Sequence, residues 1–147
     1  MKPFHRILFA TDFTEASEPA LAEAIEMAKS EGTELLVAHV YQLPNAAQAT
    51  SVASGVYEEW TQNLRNRVEE KLAPLVERAR AEGVNAEALV LNGTPYEAIT
   101  EAAALNGADL VIMGTHGRKG VSRFFLGSVA SRVISSAPCP VLTVHAV

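Results

Sequence analysis

Cysteine and long hydrophobic runs are both scarce in this chain of 147 residues. The single cysteine, Cys139, excludes an internal disulfide and a metal site made of cysteines alone, as is common in a reducing compartment. The apolar run at residues 7–10 is shorter than the roughly 7 to 15 residues of a secretory signal. The longest uncharged window, residues 35–57, lacks the roughly 20 apolar residues of a membrane span. The sequence therefore predicts a cytoplasmic protein with no membrane partner.

Acidic side chains are missing from the C-terminal part of the chain, although the net charge is −5. Residues 1–109 hold all 17 acidic and eight of the 12 basic side chains, whereas residues 110–147 hold four basic ones and no acidic one. Three of those four, Arg118, Lys119 and Arg123, lie in the stretch GTHGRKGVSRFFLGS. An acidic chain with one local basic cluster is expected to bind a small anion rather than nucleic acid.

Several catalytic motifs are also missing. The pattern G-x4-G-K-S/T is absent, so the lysine and the Mg²⁺-binding hydroxyl of a P-loop enzyme are lacking. Ser128 lies in LGSVA rather than in G-x-S-x-G, which argues against a nucleophilic serine. A response regulator needs clustered acids after the first strand and a lysine on the last strand, but here only Asp12 and no lysine are found. These absences favour ligand binding over catalysis.

Short apolar runs alternate with helical patterns along the whole chain. They predict five strands, at residues 6–11, 33–40, 84–91, 108–114 and 140–146. Repeated strand–helix–strand units make right-handed crossovers and therefore a parallel sheet that is covered on both faces. We expect an α/β fold, a three-layer sandwich with a five-stranded parallel sheet. The length and the apolar fraction of 48% are ordinary for a single domain over residues 1–147.

The helical segments carry start and stop signals. Thr94 and Glu97 make a capping-box pattern before a helix over residues 95–106. The longer helix that precedes the third strand is predicted to end at Gly83. Its apolar row begins with Trp60, which the helical spacing assigns to the core.

The glycine-rich stretch begins at the carboxyl end of the fourth predicted strand, where open parallel sheets gather their ligands. Gly114 and Gly117 let the backbone come close to a ligand because they have no Cβ. Gly127 and Ser128 open a helix whose first N–H groups can point at an anion. A helix terminus contributes only about 0.3 to 1 kcal/mol, whereas micromolar affinity requires about 8 kcal/mol. A nucleotide would therefore need its base and ribose to supply the rest, with the carboxyl ends of the first two strands, residues 10–12 and 39–41, as candidate walls. The alternative is a solvated connection whose glycines only serve turns.

The spacing of Gly114, Gly117, Gly127 and Ser128 resembles the signature G-x2-G-x9-G-S/T of the ATP-binding branch of the universal stress proteins. The stretch ILFATDFTEASEPAL resembles the first strand and helix of that family, and SVASRVISSAPCPVLTV resembles its last helix and strand. The resemblance implies a sheet of order 3-2-1-4-5, an adenine nucleotide alpha hydrolase-like fold. It also implies a small cytoplasmic stress-response protein that forms a dimer.

The resemblance further implies ATP as the ligand and assigns residues to it. Ala10, Thr11 and Asp12 would lie beside the nucleotide, with Asp12 near the ribose or a phosphate-bound Mg²⁺. The backbone of Val40 would meet adenine. The remaining residues would border the cleft or surround ribose and phosphates: Met113, Gly114, Gly117, Arg118, Gly127, Ser128 and Val129. For Asp12 the residues leave a second interpretation open, in which its carboxylate caps the next helix. His39 is expected to be packed or exposed rather than a ligand contact.

The last strand carries no protection against edge pairing. Lysine, arginine and acidic residues are all absent from residues 133–147, and the fifth strand is an edge in the order 3-2-1-4-5. We therefore expect a homodimer in which this strand, with Val141 and Val144, pairs with its copy. The resemblance implies the same assembly.

Three functional hypotheses follow from these patterns. The first is an ATP-binding regulatory module of the stress response. The second is a slow Mg²⁺-dependent ATPase or nucleotidyl-transferring enzyme that uses Asp12. The third is a nucleotide-free dimerisation module whose basic loop holds another anion.

Overall fold

A computed structural model describes residues 3–43, 54–115 and 127–146 of the chain. Its strands are β1 (Arg6–Ala10), β2 (Glu34–Tyr41), β3 (Asn85–Asn92), β4 (Leu110–Gly114) and β5 (Val141–Val144). Its helices are α1 (Glu18–Met27), α2 (Ser54–Ala81), α3 (Pro95–Leu105) and α4 (Ser128–Ser136), with a 3₁₀ turn at Glu15–Ser17 before α1. Among the described residues, no helix is both long and apolar enough to cross a membrane.

The five strands form one parallel sheet in the order β3-β2-β1-β4-β5. The predicted α/β architecture and the order implied by the family resemblance are both confirmed. From β1 the chain adds β2 and β3 on one side of the sheet, and it then returns to add β4 and β5 on the other side. The order in which strands are added therefore reverses between β1 and β4. Ligand clefts of parallel sheets form at such a reversal, outside the carboxyl ends of the strands.

Alternate side chains of the central strands point to opposite faces and produce two buried layers. Ile7, Phe9, Leu35 and Val37 pack with α1 and α2 on one face. Leu8, Leu36, Ala38 and Val111 pack with α3 and α4 on the other. The central strands are therefore buried on both sides, which explains why they read as continuous apolar runs.

Two local interpretations of the helices were wrong. Trp60 is not in the core, because half of its surface (50%) is exposed on α2. The capping box at the start of α3 is not formed: Thr94 occupies the N-cap position but makes no capping hydrogen bond through its side chain. Glu97 instead accepts a hydrogen bond from the Tyr96 hydroxyl at 3.0 Å.

A single carboxylate ties the amino ends of β1 and β4 together. Asp109, just before β4, accepts hydrogen bonds from the backbone N–H of His5 at 2.8 Å and of Arg6 at 2.9 Å. Burial raises the pKa of this carboxyl, but the hydrogen bonds from the backbone of His5, Arg6 and Asp109 itself, together with the charge of His5, outweigh burial and hold the pKa below its ordinary value. The ionised form therefore stabilises the folded state.

This carboxylate predicts a pH-dependent contribution to stability. Because the folded pKa lies below the unfolded value of about 3.9, the contribution is complete above that value and disappears as the pH falls through the folded pKa. We expect Asp109→Asn to lower the free energy of unfolding by about 1 kcal/mol at neutral pH. The loss should shrink toward zero in acid. Urea unfolding at stepped pH, with the exposed Glu101→Gln variant as a control, measures it, and a loss independent of pH would contradict it.

Candidate functional site

A cleft of about 810 Å³ lies at the carboxyl ends of the central strands, within the range of small-molecule sites. Nine residues singled out in the sequence line it: Ala10, Thr11, Asp12, Val40, Met113, Gly114, Gly127, Ser128 and Val129. Two others, Gly117 and Arg118, lie outside the described residues, as do Lys119 and Arg123. The fold thus brings the described part of the predicted set to one place, from three strand ends and one helix start.

The floor of the cleft is created by the unequal lengths of β1 and β2. Ala10 pairs with Ala38 in register, and the amide of Thr11 donates to the Ala38 carbonyl at 2.9 Å. Strand β1 ends there, whereas β2 continues to Tyr41. Backbone groups of alternate residues in a strand point to the same neighbouring strand. Since the carbonyl of Ala38 points to β1, the N–H and C=O of Val40 point to the same side, where β1 has already ended. Val40 therefore presents one backbone donor and one acceptor to the cleft.

The turn after β1 is held by a network of hydroxyl groups. The buried Thr11 hydroxyl accepts a hydrogen bond from the Phe13 amide at 3.0 Å and lies 3.0 Å from the Ser17 hydroxyl. Ser17 in turn donates to the Thr14 carbonyl at 2.9 Å. The turn between β1 and α1 therefore has a defined shape before any ligand arrives.

Asp12 lies in the middle of this turn and is exposed to the cleft. Its Oδ1 accepts hydrogen bonds from the amide of Thr14 at 3.0 Å and from the Thr14 hydroxyl at 2.6 Å. Its Oδ2 makes no hydrogen bond with any described residue. The capping interpretation is wrong, because the N-cap of α1 is Ser17 and the bonds of Asp12 go to Thr14, two residues on, as in an Asx turn. The second oxygen of Asp12 can accept from a hydroxyl donor or bind a cation.

The amino terminus of α4 forms the opposite wall. The Gly127 amide donates to the Thr115 carbonyl at 2.7 Å, which joins the start of α4 to the end of β4. The backbone amide of Ser131 donates to the Gly127 carbonyl at 2.9 Å, which is the first helical hydrogen bond of α4. The amides of Ser128 and Val129 precede it and have no partner within the helix. No acidic side chain occupies the first turn of α4. This terminus is suited to an anionic group.

Sequence reasoning missed several residues that also line the cleft: Thr14, Ser17, Pro95, Ile99, Thr115 and Ala130. His39, in the predicted wall at residues 39–41, does line it. Thr115 directly follows Gly114 at the end of β4, so its position in the chain was the available signal. Ile99 and Ala130 are apolar helix residues whose place in the cleft depends on how α3 and α4 pack. No sequence pattern marks them.

A second depression, at the opposite end of the sheet, does not have the features of an anion site. Its cationic side chains are neutralised by acids: Arg6 lies 2.7 Å from Glu34, and Lys29 lies 3.1 Å from Glu82. Within the three described ranges, no group of three or more histidine, cysteine, aspartate or glutamate side chains could hold a metal ion. Asp12 is the one carboxylate among the described residues that line the cleft.

Comparisons with known proteins agree with this architecture. A model described as the universal stress protein family matches residues 3–145. A Thermus aquaticus protein named "universal stress protein in QAH/OAS sulfhydrylase 3′ region" is 38% identical over 144 residues, covering 97% of this chain and 99% of that protein.

Solved structures give the same result. The structure of the protein MJ0577, a Methanocaldococcus jannaschii universal stress protein, has a TM-score of 0.83 at 28% identity, covering 97% of this chain and 96% of that chain. A universal stress protein solved in complex with cAMP has a TM-score of 0.71 at 25% identity, covering 98% of each chain. The chain therefore belongs to the universal stress protein family.

Proposed function

We propose that this chain binds an adenine nucleotide, ATP above all, in the 810 Å³ cleft and acts as a binding module rather than as an enzyme. The observation that carries the proposal is the convergence on one cleft of three kinds of group. These are the backbone groups of Val40 on the side where β1 has ended, the Asp12 Oδ2 that bonds to no described residue, and the first amides of α4. The cAMP complex of a family member supports the choice of an adenine nucleotide.

Each group matches one part of the nucleotide. The N–H and C=O of Val40 can bond the ring nitrogen and the amino group on one edge of adenine, and Ile99 and Met113 offer apolar surface to its faces. Asp12 Oδ2 can accept a hydrogen bond from a ribose hydroxyl. The amides of Ser128 and Val129 can donate to phosphate oxygens, with Gly114 leaving room for the approach. Gly117 and Arg118 complete the proposed phosphate site.

Magnesium is part of the proposal only together with the phosphates. Mg²⁺ commonly uses one or two carboxylates and the phosphate oxygens of a nucleotide, and it keeps several waters. The Oδ2 of Asp12 fits that role, because one protein carboxylate is sufficient when phosphates supply the other ligands. When bound, the ion would reduce the repulsion between the Asp12 carboxylate and the phosphates.

The assembly and setting are also proposals. We propose that one domain spans residues 1–147, because β1 and β5 belong to the same sheet. We propose a homodimer that forms through β5, with Val141 and Val144 at the interface. The proposed place of action is the cytoplasm, in the response to stress.

Calorimetry with ATP, GTP and sulfate tests the nucleotide proposal. We expect ATP to bind with micromolar or tighter affinity and GTP at least tenfold more weakly, because guanine reverses the donor and acceptor positions that Val40 can meet. Sulfate, which lacks base and ribose, should bind far more weakly than ATP. Equal affinities for ATP and GTP would contradict the role of Val40, and binding of sulfate without binding of ATP would favour the nucleotide-free alternative.

A further inference from the structure

We infer that His39 is a positioning residue for this cleft: its imidazole holds the turn that carries Asp12 and keeps the Val40 amide free for the ligand. The inference rests on the proposed nucleotide function and concerns a residue that does not need to touch the nucleotide itself.

The first observation is a hydrogen bond between neighbouring strands. His39 Nδ1 lies 2.7 Å from the carbonyl oxygen of Thr11, the residue directly before Asp12. A carbonyl oxygen can only accept, so Nδ1 must carry a proton, whether the ring is neutral or charged. His39 is therefore a donor at this position in every protonation state that forms the bond.

This hydrogen bond replaces one that the sheet would otherwise make. In the observed register the Thr11 amide donates to the Ala38 carbonyl, and a continued parallel ladder would have the Val40 amide donate to the Thr11 carbonyl. The imidazole of His39 occupies that carbonyl instead. Strand β1 ends at Ala10, and among the described residues no hydrogen bond joins the Val40 amide to the Thr11 carbonyl.

The second observation is on the other side of Asp12. The ring of His39 packs against the ring of Phe13, with centroids 4.3 Å apart and planes inclined by 36°. Phe13 has a φ of 66°, a left-handed conformation that is unfavourable for a bulky residue and persists only where its surroundings hold it. Lys71 of α2 lies over the same ring, with Nζ 5.4 Å from the centroid. His39 therefore holds both residues that flank Asp12.

We expect removal of His39 to weaken two proposed ligand contacts together, those of Asp12 and Val40. With the imidazole removed, the Thr11 carbonyl can accept from Val40, and Phe13 loses one of the contacts that maintain its strained backbone. Asp12 then no longer presents Oδ2 in a fixed position, and Val40 no longer offers a free donor. His39 acts through its neighbours, so its effect on binding should depend on Asp12.

Two substitutions at this position separate the hydrogen bond from the ring. The side-chain nitrogen of asparagine takes the place of Nδ1 and can donate to the Thr11 carbonyl, whereas leucine fills a similar space without a donor. We expect His39→Leu to weaken ATP binding at least tenfold and His39→Asn to stay within about threefold of the wild type. His5→Leu, which removes an exposed histidine at the other end of the sheet, should leave binding unchanged.

A double-mutant cycle with Asp12→Asn tests whether His39 acts through Asp12. We expect Asp12→Asn to weaken ATP binding in the wild-type and His39→Asn backgrounds and to have little further effect in His39→Leu. Thermal unfolding of each variant sets a temperature at which all of them are folded, so that binding is compared between folded proteins.

The outcomes distinguish this inference from the function on which it rests. Wild-type affinity in His39→Leu, no effect of Asp12→Asn, or losses that simply add would overturn the positioning role while ATP binding stands. Equal losses in His39→Asn and His39→Leu would show that the hydrogen bond to the Thr11 carbonyl contributes nothing to binding and would also overturn it. A wild-type protein that binds no ATP would instead refute the proposed function.

Discussion

Replacing Gly114 by valine is expected to abolish detectable ATP binding and to lower the free energy of unfolding by about 1 to 3 kcal/mol. A Cβ at this position would stand 3.1 Å from the carbonyl oxygen of Ala16 and 3.5 Å from Cα of Ser17. Both are backbone atoms of the 3₁₀ turn, so no side-chain rotation can relieve the contact. Strand β4 and the turn must therefore move apart, and the two branches of valine enlarge the shift.

The displacement affects the cleft because the same turn carries its polar groups. Ser17 is linked to Thr11 through their hydroxyls, and Thr11 directly precedes Asp12. A shift of the turn therefore moves one wall of the cleft away from the start of α4. Phosphate and ribose contacts require hydrogen-bond distances of about 2.7 to 3.2 Å, so a movement of one ångström is enough to break them.

Calorimetry with ATP and urea unfolding measure the two effects separately. Gly114→Ala should show the same changes at smaller size, since it adds one carbon at the same contact. Gly55→Ala is the matched control, because a Cβ on Gly55, in the first turn of α2, meets no atom within 4 Å. A Gly114→Val protein with wild-type stability and wild-type ATP affinity would refute the close approach of β4 and the turn as a requirement of the site.

The double substitution Val141→Lys with Val144→Lys is expected to convert the proposed dimer into monomers. Strand β5 is an edge of the sheet, and all four of its residues are only partly buried. The outer backbone groups of β5 pair with no described strand, and these groups and its apolar side chains are suited to pairing with a second copy. In a two-fold arrangement the substitutions place four like charges at one interface, and desolvating them would cost several kcal/mol.

Sedimentation velocity at micromolar concentration measures this change. Asn85→Lys with Ala88→Lys is the matched control, since it introduces two lysines on the other edge strand, β3, where both residues are exposed. The control should remain dimeric. A wild-type protein that sediments as a monomer would refute the interface on β5, and dissociation of the control would show that the added charge acts without regard to the edge.

The wrong interpretations of Trp60 and of the capping box show what a residue pattern does not contain. Helical spacing places Trp60 in the same row as Val68 and Leu72, but spacing cannot say how far along the helix the sheet extends. The latter two are buried, whereas Trp60 stands half exposed on α2. The capping box failed for a related reason: the pattern identified the start of α3, but the Glu97 side chain accepts from Tyr96 instead of the N-cap amide.

The sequence alone determined the class of fold and the position of most elements. Buried parallel strands must be apolar along their whole length, and the helices that cover them must be apolar at helical spacing. The alternation of strands and helices can therefore be recognised from the sequence. The predicted strand at residues 108–114 contains β4 at Leu110–Gly114, four of whose five residues are buried, for this reason. The residue pattern did not set the order of the strands, which came from the resemblance to a family.

Only the tertiary structure decided which groups meet in the cleft. Asp12 and Gly114 are about a hundred positions apart, and they line one cleft because β1 and β4 pair with Ala10 opposite Met113. The role inferred for His39 depends on the difference in length between β1 and β2. That difference has a consequence only when the two strands are paired in register. Local sequence governs local backbone preference, whereas a binding site is a set of distances between distant segments, and those distances exist only once the sheet has formed.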